Sequence, residues 1–297
     1  MASSVDLPLL SSALKNAWGT ELLLCITPGL SNDEEYRKLA NNWASVQAYY
    51  SCYHIAQALT LSQGNPPPDT HAKLQRVFTR FWQAPMNLVP LSMAWKNGQC
   101  YGLPQDIETH EVKPWLPWST VTADSCWSYA ALVLKTTREE VLTERREEER
   151  EQQRRKRQRE RNEKEQARID DGKTPLKHLT MSTPNLSQEE KNAIDERMRS
   201  TTLLDVLYRL RKRSNYEDPT MFIDGPDNPQ ETARVHQCLR EIVAATCMAH
   251  EVFIREYAGT AWFDREVSDW IQGSGSISQA GLATRQALLA GQRQFAG

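Results

Sequence analysis

Apolar residues recur at alternating steps of three and four from Tyr36 through Leu39, Trp43, Val46 and Tyr50 to Tyr53, which places them on one face of a long helix. Just ahead, Ser31-Asn-Asp-Glu34 has the form of a capping box, in which hydroxyl and carboxylate satisfy free backbone N–H groups. Gly64 and Pro66-Pro67-Pro68 end that helix. Asp69 or Thr70 then caps a second helix, with Leu74, Val77, Phe78 and Phe81 on its buried side. A short earlier helix, about Leu9 to Trp18, carries Leu10, Leu14 and Trp18. Further along, Ser187-Gln-Glu-Glu190 is a second capping box. It opens one helix through Ile194, Met198, Leu203, Leu207 and Leu210 to about Asn215. After a loop, a final strong helix spans about Glu231 to Tyr257, with Val235, Leu239, Ile242, Thr246, Ala249, Phe253 and Tyr257 sharing a face.

Between these two helical blocks the pattern changes twice. Residues 83–121 are rich in proline and tryptophan, and short strands are expected near Leu91–Trp95 and Gln99–Leu103 around the turn Lys96-Asn-Gly98. Trp115-Leu-Pro-Trp118 has two readings: a platform on which bases stack, or aromatics that pin a long loop to the bundle. A helix restarts near Ala123, carrying Trp127, Ala131, Leu134 and Val141, and then loses all apolar character from Glu144 to Gln166. Every residue of that stretch except Asn162 is a good helix former, so it projects into water as a charged helix or frays. Helical from Arg138 to Asp170, it reaches roughly 50 Å at 1.5 Å per residue.

Charge along this helix is polarised. Residues 139–151 hold seven acidic and three basic side chains, whereas 154–161 hold six basic and one acidic. Arg154, Arg155, Lys156, Arg157, Arg159 and Arg161 form either a handle on a phosphate backbone or a solvated, salt-laced spacer. The expected segments are thus 1–82 (first part of a helical bundle), 83–121 (aromatic and proline-rich insertion), 122–171 (long helix) and 172–186 (linker). The second part of the bundle (187–272) and a Gly/Ser- and Ala/Gln-rich flexible tail (273–297) complete the chain.

Composition narrows the function classes. The net charge of the 297 residues is −2, so nucleic-acid affinity has to come from a local patch. No apolar run approaches the ~20 residues that span a bilayer, and Met1-Ala-Ser-Ser has no export signal, so a cytoplasmic protein is expected. Six cysteines without any C-x-x-C spacing read as reduced, mostly buried thiols rather than metal ligands. Gly-rich phosphate loops, G-x-S-x-G and H-E-x-x-H are absent from the sequence, and no cofactor or metal is expected.

Two segments together resemble the HEPN superfamily of small helical domains found in prokaryotic toxins, defence systems and CRISPR effectors. One is Ala48-Tyr-Tyr-Ser-Cys-Tyr-His-Ile-Ala-Gln-Ala-Leu59, followed by Gly64, the proline loop, Thr70-His71 and Phe78. The other is Leu207-Tyr-Arg-Leu-Arg-Lys-Arg-Ser-Asn-Tyr-Glu-Asp218, followed by the helix over 231–257. The likeness covers about 120 residues and is greatest to the branch with an Arg-rich helix end running into an Asn/Asp-Tyr step. It implies an all-α fold: a four-helix up-down bundle, here with a large insertion. It also implies a homodimer with a composite cleft, and metal-independent RNA cleavage in which an Arg holds the phosphate and a His four to six residues later moves a proton.

Here the Arg-rich helix end is followed by Asn215 and Tyr216, and no His has an Arg five to seven positions upstream. The residues the likeness assigns to catalysis are therefore Arg211 and Tyr216, with Arg209, Arg213 and Asn215 as RNA contacts and His54 and His71 as further cleft candidates. Cations at 209–213 also have a structural reading, since they complement the dipole of a helix C-terminus. Lys173-Thr-Pro-Leu-Lys-His178 mimics the motif spacing within a linker. The expected function is RNA binding or cleavage in a prokaryotic defence or toxin–antitoxin setting, with an antitoxin or other defence protein as a second partner. The rival is a non-catalytic dimerising adapter that holds a protein partner.

Overall fold

The computed structural model describes residues 5–27, 33–83, 91–103, 122–174, 182–217, 229–274, 281–282 and 285. The fold is all-α, with eight α-helices and three very short strands among the described residues. It divides into two units: residues 1–92 with 202–297, and residues 93–201. None of the described helices is long and apolar enough to cross a membrane.

The first unit is built around α2 (Glu34–Ser62), which packs against α1 (Leu7–Ile26), α3 (His71–Gln83), α6 (Leu203–Lys212) and α7 (Pro229–Ala258). A further helix, α8 (Thr260–Gly273), follows α7 after Gly259, whose φ of +95° is open to glycine at little cost. Asp6 caps α1 by accepting from the Leu9 N–H at 3.0 Å. Asp33, not Ser31, caps α2, accepting from the Glu35 N–H at 2.9 Å, while Ser31 lies outside the described residues.

The buried face of α2 keeps Val46, with Tyr50 and Tyr53 packed on the core, but departs from the expected stripe toward the helix start. Leu39 and Trp43 are 52% and 64% exposed, whereas Ala44, Ala48, Ser51, Cys52 and Ile55 are buried. Small residues win because they let backbones approach: Ser51 Oγ donates to the Ala17 carbonyl of α1 at 3.1 Å, beside the buried Ala13 and Ala17. On α7 the expected face turns inward, with Leu239, Thr246 and Ala249 buried and Val235, Ile242 and Phe253 packed on the core; Val243, Cys247, His250 and Ile254 widen it, and only Tyr257 of the expected set is exposed. Leu10, Leu14 and Trp18 are fully buried as expected, but α1 continues two turns past Trp18, and α8 was not foreseen. Two residues of the presumed tail, Leu282 and Arg285, are buried, each 3% exposed.

The second unit holds α4 (Ala123–Asp170), α5 (Gln188–Arg197) and a hairpin of β1 (Ala94–Lys96) and β2 (Gln99–Tyr101). The hairpin turns at Asn97 and Gly98, both at positive φ, as the Asn-Gly pair requires. β3 (Thr201–Thr202) lies on the other side of β1, where the chain leaves the unit. At 48 residues α4 is about 70 Å long. Its middle packs on the returning chain: Leu142 meets Leu186, Ile194 and Met198, and Gln153 Nε2, already in the apolar-free run, donates to Glu190 Oε1 at 3.0 Å. Arg138, 2% exposed, donates to the Asp195 carboxylate and to the carbonyls of Asp195 and Arg199.

The single helix expected over 187–215 is two. Ser187 and Glu190 form the anticipated capping box, but α5 ends at Arg197, and Ser200 to Thr202 are buried and non-helical. A second start signal explains the break: Asp205 accepts from the Thr202 N–H at 2.8 Å and from its hydroxyl at 3.1 Å. The unit boundary consequently falls at 201/202 and α5 belongs to the insertion. Trp115, Trp118 and His178 lie outside the described residues.

Candidate functional site

One helical face of α2 presents Tyr49, Tyr50, Tyr53, His54 and Gln57 in the first unit, at the i, i+1, i+4, i+5 and i+8 positions of a continuous stripe. His71, the first residue of α3, and Tyr208 of α6 close on that stripe. The rings meet at short range: the His71 centroid lies 5.5 Å from Tyr49, 5.1 Å from Tyr53 and 5.3 Å from Tyr208. Tyr49 touches Tyr208 at 5.5 Å and Tyr50 lies 6.1 Å from His54.

Onto this platform α6 places a cation. The Arg211 guanidinium carbon lies 5.2 Å from the Tyr50 centroid and 5.7 Å from those of Tyr49 and Tyr208. Each distance is within the ~6 Å over which a ring face attracts a cation. Tyr208 and Arg211 are three apart, so one face of α6 delivers both.

Hydrogen bonds fix the ring orientations. The Tyr49 hydroxyl and His71 Nδ1 are 2.7 Å apart, and in the tautomer whose Nδ1–H donates to that hydroxyl the Nε2 is bare and able to take a proton. Gln57 is a hub: its Nε2 donates to the Tyr53 hydroxyl at 3.2 Å and to the Pro68 carbonyl at 3.3 Å. Its Oε1 lies 3.2 Å from His54 Nδ1, so that nitrogen is the donor. The proline loop is thereby tied to the face that carries the site.

Electrostatically the Arg211 guanidinium lies over the rings, and the Asp69 carboxylate acts on Tyr53. Burial lowers the pKa of His54, and burial together with the Arg211 charge lowers that of His71. Burial raises the Tyr49 and Tyr53 phenols, which stay protonated at neutral pH. Both imidazoles are therefore neutral bases at pH 7, and each is half-buried rather than sealed.

Of the other predicted site residues, Arg209 and Arg213 are half-buried at the end of α6 and Asn215 is exposed. Tyr216 lies in a π-helical turn, Arg213–Glu217, that follows α6, and its side chain lies outside the description. Arg154, Arg155, Lys156, Arg157, Arg159 and Arg161 lie on α4 in the other unit. Glu151 accepts from Arg154 Nη2 at 2.7 Å and Arg155 Nε at 2.9 Å, and these bonds lower its pKa to about 2. Among the described residues, no group of three or more His, Cys, Asp or Glu is placed to hold a metal. The cysteines are free: Cys52 and Cys247 are buried, Cys25, Cys100 and Cys238 half-buried, and Cys126 exposed.

Comparison with family models, with curated proteins and with solved structures gives no match. What the site can do rests on its own geometry. The convergence of Tyr208 and Arg211 with His71 was not legible in the sequence, because the partners are more than a hundred residues apart. The one local signal was the Tyr/His stripe at 49–54.

Proposed function

We propose that this protein acts on RNA through the tyrosine–histidine–arginine cluster, as the HEPN likeness implies, with Arg211 anchoring a phosphate and His71 moving the proton. The supporting observation is that Arg211 and His71 converge on one aromatic platform although no Arg-x4-6-His motif exists in the chain. A guanidinium offers a planar pair of donors to phosphate oxygens, and the rings around it keep the local dielectric low. In the proposed step His71 Nε2 takes the proton of a ribose 2′-hydroxyl and that oxygen bonds to the adjacent phosphorus. The P–O5′ bond breaks, and the departing 5′ oxygen takes a proton from water. The products are a 2′,3′-cyclic phosphate and a 5′-hydroxyl.

The basic tract 154–161 serves in this reading as an accessory phosphate contact. A homodimer accompanies it, supported by Leu39 and Trp43, which present two large apolar side chains one turn apart on α2. Defence or toxin–antitoxin biology, with an antitoxin partner, follows from the likeness alone. The deciding experiment is incubation of total RNA and tRNA with purified protein in EDTA, beside Arg211→Lys, His71→Ala and Tyr216→Phe. Cleavage that persists in EDTA, ends in cyclic phosphate and is lost in the first two variants is expected. Intact RNA at high protein concentration overturns catalysis. If binding is also absent at low salt, the adapter reading takes its place.

A further inference from the structure

Far from the aromatic stripe in sequence, the first unit buries two carboxylates and one guanidinium. Glu21 of α1 and Glu251 of α7 are 2% and 1% exposed, and Arg285, from the segment after α8, is 3% exposed. Arg285 addresses Glu251 side-on, with Nε 3.2 Å from Oε2 and Nη2 2.6 Å from Oε1, while its Nη1 donates to Glu21 Oε1. Trp18 Nε1 donates to the same Glu251 Oε1 at 2.9 Å, fixing that carboxylate from the α1 side. Glu21 Oε2, also buried, has no hydrogen-bond partner among the described residues. The rest of the segment fits closely: Leu282 enters the core, and a Cβ on Gly281, at φ +68°, would come within 3.1 Å of Glu21 Cδ.

Two carboxylates do not remain charged inside a bundle without a cation, because each loses several kcal/mol of hydration. Burial raises the pKa of Glu21, and Arg285 opposes that rise. The helices therefore form a receptor whose buried cation is supplied by a residue that arrives last in the chain, with the Arg240 charge as a weaker influence on Glu21. A planar fork is what the receptor selects, since one edge of the guanidinium engages Glu251 twice while another N–H reaches Glu21.

We propose that Trp18, Glu21 and Glu251 form a guanidinium-binding site between α1 and α7, occupied in cis by Arg285, and that Gly281, Leu282 and Arg285 act as an internal ligand that latches the bundle. The site is independent of any action on RNA.

The test is thermal unfolding of the full chain as wild type, Arg285→Ala and Arg285→Lys, each with and without methylguanidinium at low millimolar concentration. Removing one member of a buried pair is expected to lower Tm by about 10 °C. Lysine is expected to recover only part, as it lacks the fork. Methylguanidinium at tenfold its Kd is expected to raise Tm of Arg285→Ala by about 3–6 °C and to leave the wild type unmoved. Methylammonium at the same concentration is the control and is expected to do less. Equal response of wild type and variant, or an unchanged Tm on removing Arg285, overturns the proposal. If Arg285→Ala does not fold, Glu21→Gln carries the test. It keeps the Arg285–Glu251 pair, and its Tm is expected to fall by less than that of Arg285→Lys; a fall as large as total unfolding contradicts a site centred on Glu251.

Discussion

Lowering the pH from 8 to 4 should remove about 3 kcal/mol of stability through a single side chain, His250. It is fully buried on α7, stacked on Phe78 at 5.7 Å and 4.9 Å from the Trp82 ring. Nδ1 lies 2.7 Å from the Thr246 carbonyl and must donate; Trp82 Nε1 donates to Nε2 at 3.2 Å, so Nε2 must be bare. Both nitrogens are thus committed to the neutral form, and burial pushes the pKa down from 6.5 to about 4. Above pH 6.5 neither folded nor unfolded chain protonates this ring, and its contribution is fully present. Between 6.5 and 4 only the unfolded chain binds the proton, so stability falls by about 1.4 kcal/mol per pH unit. Below 4 both states are protonated and the loss levels off.

The assay is urea unfolding at half-unit steps of pH for wild type and His250→Gln. Glutamine keeps a donor and an acceptor, does not titrate, and is expected to cost about 1–2 kcal/mol at pH 8. His236, His54 and His71, whose pKa values are also lowered, are common to both proteins and cancel in the difference. The variant should overtake wild type between pH 6 and 5. Parallel stability curves across that range would refute the reasoning, whatever the absolute stabilities.

Arg138→Ala should cost about 3 kcal/mol, because the buried guanidinium supplies the donors to Asp195 and to two half-buried carbonyls, and Arg138→Lys should restore little of it; unfolding of the second unit by hydrogen exchange reads this. Ser187→Ala should cost about 1 kcal/mol and increase exchange in the first turn of α5, since its hydroxyl accepts from the Glu190 N–H at 3.2 Å. Tyr49→Phe keeps the ring stack but releases His71 Nδ1; if His71 is the base, RNA cleavage should fall severalfold with a shifted pH profile and little change in Tm, and an unaltered profile counts against that role. Backbone amides in the charged half of α4 should exchange faster than those between Ser125 and Leu142, where the buried positions among its described residues lie.

Helix content was legible in the sequence because it is a local property. The Ser187–Glu190 capping box and the Asn97-Gly98 turn each act over a few residues, and each is found where the residues put it. The apolar-free run from Glu144 to Gln166 is helical because every residue but one favours helix without needing a core. Which face of α2 turns inward was decided by packing: Ala44 and Ala48 carry little hydrophobic signal yet allow close approach, so Leu39 and Trp43 were left outside. Nothing local marks Glu21, Glu251 and Arg285 as buried together, since a charged residue is buried only when a partner from elsewhere neutralises it. The candidate site divides the same way. The Tyr49–His54 stripe is written along one helix, but His71, Tyr208 and Arg211 reach it only because α3 and α6 pack on α2, and a meeting across that much chain is fixed by the tertiary fold.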